Sequence, residues 1–196
     1  NTAWDNIPFT SELEEIARNS CAVCFGSLAQ RSPVSRNTVE RFLDAMPADS
    51  LKIFDINLRQ NYYSKEIIAN SLKRCDIFKI NDEELEIVKK MFEIDIEDAE
   101  ECCRYMVDRF SLINLVLTCG THGSYVFSKE EQSFFPTPKV EVVDTVGAGD
   151  SFTATYVASR LRGHDQITAH ARAVEVSAYV CTQHGATPEL PDTLKR

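Results

Sequence analysis

Two glycines one residue apart, Gly147 and Gly149, join a β-branched run (Val140, Val142, Val143) to a helix-forming sequence that begins Ser151-Phe152-Thr153. No other junction constrains the chain as much. A loop of this kind, opening directly into a helix, points its backbone amides outward and makes an anion site. Glycine lets backbone approach a phosphate closely and take positive φ without strain, and the helix dipole adds favourable charge. Asp150 is the odd member, because a carboxylate beside amides meant for an anion repels a phosphate unless it has a task. Taking a proton from an attacking hydroxyl is such a task. The alternative is a helix N-cap or first-turn acid behind an ordinary glycine turn, and the residues G-A-G-D alone leave both readings open.

With 196 residues and 43% hydrophobic content, the chain is long enough for one substantial core, and a single domain over residues 1–196 is expected. A net charge of -9 with no Lys/Arg cluster argues against nucleic acid or an anionic membrane surface as partner. No apolar run approaches the roughly 20 residues needed to span a bilayer, and Asn1-Thr2-Ala3-Trp4-Asp5 does not read as a signal peptide. The seven cysteines are odd in number and several lie in apolar runs, which predicts reduced core thiols and a cytoplasmic protein. Cys21-Ala22-Val23-Cys24 is formally a CxxC, but its strand-like setting favours packing over metal or redox chemistry.

Along the chain, Ser11-Glu12-Leu13-Glu14 has the form of a capping box, with Leu13, Ile16 and Ala17 following at helical spacing and an end near Asn19. Cys21 to Phe25 predicts a buried parallel strand closed by Gly26. Residues 26–32 then form either a ligand loop or a plain connector. Ser35 to Met46 predicts a helix stopped by Pro47, and Leu51 to Ile56 the next strand. At its end Asp55, Asn57 and Arg59 alternate with Ile56 and Leu58, so an extended backbone would turn all three polar groups to one side. They are a ligand-facing set or a solvated strand end with a local Asp/Arg pair. Ser64 to Arg74 predicts a helix and Cys75 to Ile80 a strand, followed by Asn81 and Glu84 at capping-box spacing. Asp95 to Phe110 is the next helix and Leu112 to Leu117 the next strand. Thr118-Cys119-Gly120-Thr121-His122-Gly123-Ser124 then reads as a turn into a hairpin of Tyr125 to Phe127 and Ser133 to Phe135, with His122 solvated at the tip. After the anion loop, Gly149 to Leu161 is a helix with Gly163 beyond its end. Asp165 to Gln183 is another, with an apolar stripe at Ile167, Ala171, Val174, Ala178 and Cys181.

The string D-T-V-G-A-G-D-S-F at Asp144 to Phe152 resembles the C-terminal signature of the ribokinase-like (PfkB) family of sugar and nucleoside kinases. The resemblance covers nearly the whole chain. It implies a three-layer α/β/α fold with a mostly parallel sheet, and ATP with Mg2+ as cofactors. In that family the last aspartate of the motif is the catalytic base and the amides before it form an anion hole. Carried over, the base is Asp150 and the hole Gly147, Ala148 and Gly149. The turn from Thr118 resembles the family's T-x-G-x-x-G, which places Thr118, Gly120 and Gly123 at the nucleotide. Asn81 and Glu84 match an N-x-x-E that helps hold magnesium and phosphates, partly through water. Asp55, Asn57 and Arg59 resemble the D-x-N-x-R of fructokinase-like and ketodeoxygluconate-kinase-like members, near phosphate and acceptor. The exit Thr182-Gln183-His184-Gly185-Ala186-Thr187-Pro188 resembles the family's closing loop. That implies a monovalent cation, K+, held by the Asp144 side chain and the carbonyls of Val146, Val180 and Gly185.

There is no G-x-x-x-x-G-K-[ST], which argues against a P-loop kinase, and no G-x-G-x-x-G after the first strand, which argues against a dinucleotide-binding dehydrogenase. The family's N-terminal strands, its Gly-Gly sugar contact and its β-sheet lid have no counterpart in these residues, so the chain resembles the C-terminal, nucleotide-binding portion. The expectation is an ATP-dependent kinase for a sugar hydroxyl, fructokinase-like, with small-molecule partners and a homodimer in the full-length form. The alternatives are a non-catalytic nucleotide-binding fragment and a kinase for a keto-deoxy sugar acid or nucleoside. An acyl-transfer enzyme using Cys119 or Ser151 is a weaker one, because no G-x-S-x-G elbow is present.

Overall fold

The computed structural model describes residues 2–195. Six strands form one sheet in chain order: β1 (Ala22–Phe25), β2 (Leu51–Asp55), β3 (Ile77–Asn81), β4 (Asn114–Thr118), β5 (Ser124–Phe127) and β6 (Gln132–Phe135). Helix α1 (Ser11–Arg18) precedes the sheet. The parallel pairs β1–β2 and β2–β3 are bridged by α2 (Pro33–Ala45) and α3 (Lys65–Leu72), and α4 (Asp82–Phe92) with α5 (Ala99–Phe110) lead to β4. A parallel pair needs a crossover of about a dozen residues or more, which these helices supply. The connections at 119–123 and 128–131 are too short for that, so the sheet closes in hairpins. Helices α6 (Ala148–Leu161) and α7 (Gln166–Cys181) complete the chain. Among the described residues no helix is long and apolar enough to cross a membrane.

The chain divides into two compact units. One runs up to Val116 and includes Phe127–Lys129, and the other comprises Leu117–Val126 and everything from Glu130. In the first, Phe25, Phe54 and Phe78 are partners in register across β1, β2 and β3, and their rings stack at 5.3 and 5.6 Å. With Ile53, Ile56, Ile77 and Ile80 they make the buried centre of this unit. Each such side chain contributes about 1.5–3 kcal/mol on leaving water. Ser64, Asn81 and Asp98 cap α3, α4 and α5 through their side chains.

Three expectations shift here. The N-cap of α1 is Thr10, whose hydroxyl accepts the Leu13 N–H at 3.2 Å, so Ser11 is already the first helical residue, and Ile16 is exposed. Helix α5 starts at Ala99 rather than Asp95, where the Asp98 carboxylate takes the Glu101 N–H at 2.7 Å. Cys75, Cys102 and Cys103 are buried as expected, but Cys21 and Cys24 are exposed.

In the second unit α7 packs along α6, and its buried stripe is Gln166, Ala169, His170, Ala173, Val176 and Val180. The expected stripe is rotated from this, and Ile167 is half exposed. Alanines at 169 and 173 leave room for α6, while Gln166 and His170 bury their polar atoms by hydrogen bonding. The Gln166 amide donates to the Val126 carbonyl at 3.1 Å.

Candidate active site

In the second unit, Gly147 is the N-cap of α6 with φ +82°. A β-carbon there would meet Ala186 backbone atoms at 2.5–2.7 Å, so two independent constraints select glycine. Ala148, Gly149 and Asp150 follow as the first three helical residues, whose N–H groups lie in the turn that has no intrahelical acceptor. The Ala148 N–H makes one long contact, 3.3 Å to the Thr145 carbonyl. Asp150 is exposed in this first turn, the position that both the base and the first-turn-acid readings require. The Ala148 carbonyl is held from two sides, by the Ser151 hydroxyl at 3.0 Å and the Ser177 hydroxyl of α7 at 2.9 Å.

Before this turn, Asp144 ties two loops together. Its Oδ1 accepts the Val146 N–H at 3.0 Å and its Oδ2 the Gly185 N–H at 3.2 Å. These backbone bonds, Val146 first, hold its carboxyl below the usual carboxylate range. The Val143 and Asp144 N–H groups both donate to the Cys181 carbonyl at the end of α7, at 2.8 and 3.3 Å. Asp144, Val146 and Gly185 are thus brought together, whereas the Val180 carbonyl already accepts the Gln183 N–H at 3.0 Å.

Thr118 ends β4, and the turn after it is closed by the Cys119 N–H to the Gly123 carbonyl at 2.9 Å. The Thr137 hydroxyl donates to the Gly120 carbonyl at 2.6 Å. A β-carbon on Gly123, at φ +136°, would lie 2.5 Å from the Phe135 carbonyl, so hairpin packing alone demands glycine there.

His170 lies outside every motif singled out in the sequence. It is fully buried, with Nε2 2.8 Å from the Ser124 hydroxyl and Nδ1 2.8 Å from the Ser133 hydroxyl. Phe135 and Phe152 present T-shaped contacts to its ring. Burial pushes its pKa down to about 4. The available signal was a histidine flanked by small residues in a helix.

In the first unit, Asn81 and Glu84 form the full capping box. The Asn81 side chain accepts the Glu84 N–H at 2.8 Å and Glu84 Oε2 accepts the Asn81 N–H at 3.0 Å. Glu84 Oε1 also accepts the Leu58 N–H at 2.7 Å. That bond fastens the segment after β2, where Asn57 takes φ +38° and the extended alternation expected through Arg59 breaks. Asn57 and Arg59 are exposed, and Asp55 pairs with Lys79 at 2.9 Å, its register partner on β3, rather than with Arg59. Among the described residues no group of three or more His, Cys, Asp or Glu side chains is placed to hold a metal ion.

The family model for pfkB carbohydrate kinases matches residues 1–193. The chain belongs to the pfkB family. Within this family it is 28% identical to an ATP-dependent 6-phosphofructokinase of Thermoanaerobacterium thermosaccharolyticum, over 95% of the chain and 58% of that protein. It is 25% identical to fructokinase-1 of Zea mays, over 97% of the chain and 62% of that protein. A solved E. coli chain in complex with ATP and Mg2+ superposes with a TM-score of 0.76 at 21% identity, covering 88% of this chain and 56% of that one. The pfkB chain described here therefore spans about three-fifths of the length of these two relatives.

Proposed function

We propose that this chain is the nucleotide-binding, base-carrying portion of one kinase domain that transfers a phosphoryl group from ATP to a sugar hydroxyl. The observation that carries the reading is the junction at Gly147: a left-handed glycine seated against Ala186, then a first helical turn without intrahelical acceptors that holds an exposed carboxylate. Phosphoryl transfer asks a protein for positioning, charge neutralisation and a proton acceptor. The N–H groups of Ala148 and Gly149, with Gly147 giving the approach, stabilise charge on the transferred group. Asp150 accepts the hydroxyl proton. Thr118, Gly120 and Gly123 line the nucleotide phosphates. Bound ATP would supply the phosphoryl group and Mg2+ would neutralise its charge.

In the first unit, both Glu84 oxygens already accept backbone N–H groups, which fits a hold on magnesium through water better than direct ligation. Asn81 shares that role, and Asp55, Asn57 and Arg59 serve phosphate or acceptor. The K+ reading draws on Asp144, Val146 and Gly185, which meet through N–H groups on both Asp144 oxygens rather than through carbonyls, and it draws least on Val180. Fructose or a related sugar is the acceptor suggested by the fructokinase and phosphofructokinase relatives.

The test is ADP release by this chain with magnesium, potassium and ATP against a panel of hexoses, hexose phosphates, keto-acids and nucleosides. Release that depends on one acceptor supports the kinase. ATP binding without acceptor-dependent release would favour a nucleotide-binding fragment, and loss of both would sink the phosphate-loop reading.

A further inference from the structure

A fully buried histidine with a hydroxyl on each ring nitrogen is a costly object, since every member must be satisfied for the cluster to be tolerated. His170 meets this condition with one serine from each strand of the β5–β6 hairpin. The two serines differ in their distance from the nucleotide turn. Ser124 directly succeeds Gly123, whose carbonyl closes the turn from Thr118 through the Cys119 N–H. Ser133 is not a neighbour of the turn in sequence; it sits on β6 two residues before Phe135, the β6 residue that packs against Gly123. His170 itself belongs to α7, the helix whose Ser177 hydroxyl holds the Ala148 carbonyl and whose Cys181 carbonyl holds the backbone of Val143 and Asp144. One helix therefore fastens both segments of the second unit that the kinase reading assigns to phosphates.

We propose that His170 is a positioning residue for nucleotide binding, which through the Ser124 hydroxyl holds the 118–124 turn to the same helix that holds the 144–149 loop. The ring is neutral, so one nitrogen donates and the other accepts, and each serine completes the exchange. The inference rests on the kinase reading of these two segments.

The experiment measures equilibrium MgATP binding and thermal midpoint for the chain and three variants. Ser124→Ala is expected to weaken MgATP binding about three- to tenfold, the range that one net hydrogen bond supports. Ser133→Ala removes a bond of the same kind from the same ring and is expected to lower the midpoint while leaving MgATP affinity within about twofold. His170→Gln places an amide near the Nε2 position and is expected to bind closer to wild type than Ser124→Ala does. Equal losses of affinity in the two serine variants, or none in Ser124→Ala, would overturn the positioning role and leave His170 a packing residue. Failure of the unsubstituted chain to bind MgATP would overturn the kinase reading first, and this inference with it.

Discussion

A β-carbon on Gly147 would stand 2.5 Å from the carbonyl oxygen of Ala186. The loop before α6 and the loop after α7 approach so closely that no side chain fits between them. Gly147→Ala therefore faces both a left-handed penalty of about 1–2 kcal/mol and a backbone displacement. The expected outcome is a lower urea midpoint together with weaker MgATP binding. A midpoint equal to wild type would mean that the two loops are not held at this spacing.

Asp150→Asn keeps the shape of the first turn and removes the carboxylate that the kinase reading makes the proton acceptor. Acceptor-dependent ADP release should fall by roughly 10²- to 10⁴-fold, with MgATP affinity little changed. Turnover that survives the change would assign the base elsewhere.

Glu84 satisfies two backbone donors, those of Asn81 and Leu58, and an amide in its place accepts only one of them. Glu84→Gln should cost about 1–3 kcal/mol, the range for a buried donor left without its partner. Amide exchange at Leu58 should speed up relative to the residues of β2, and unchanged exchange there would contradict the assigned bond.

His170 binds its proton less readily folded, near 4, than unfolded, near 6.5. The unfolded chain then holds more protons between those values, so stability is full above about 6.5 and declines as pH falls towards 4. The decline is on the order of 3 kcal/mol. Urea midpoints at several pH values should show this slope in wild type and a shallower one in His170→Gln. Parallel curves would place the acid sensitivity in other groups.

Apolar runs and side-chain caps made the strands and most helices legible: Ser64 opens α3, and the pair Asn81 and Glu84 opens α4 where the spacing predicts. The turn at Gly147 was legible because glycine directly before a helix-forming run marks a backbone that needs positive φ, and Gly147 has φ +82°. What stayed hidden depends on partners distant in sequence. Asp55 chooses Lys79 over Arg59 because strand register sets them side by side, and register is not written in either segment alone. Thr10 and Ser11 are equivalent hydroxyls until the backbone decides which one precedes the helix. The stripe of α7 misleads for a similar reason: polar Gln166 and His170 turn inward because acceptors and donors await them on β5 and β6.

The stacked rings of Phe25, Phe54 and Phe78 bear on how this chain finds its fold. Parallel strands joined through helices bring together residues far apart in sequence, and such pairings form slowly. A slip of one residue in any of the three strands would turn its ring to the opposite face, costing Phe54 both of its stacking partners or Phe25 or Phe78 its one. The phenylalanines thus act as a ratchet against misalignment, and their replacement by smaller apolar residues should slow folding more than equilibrium stability alone would suggest.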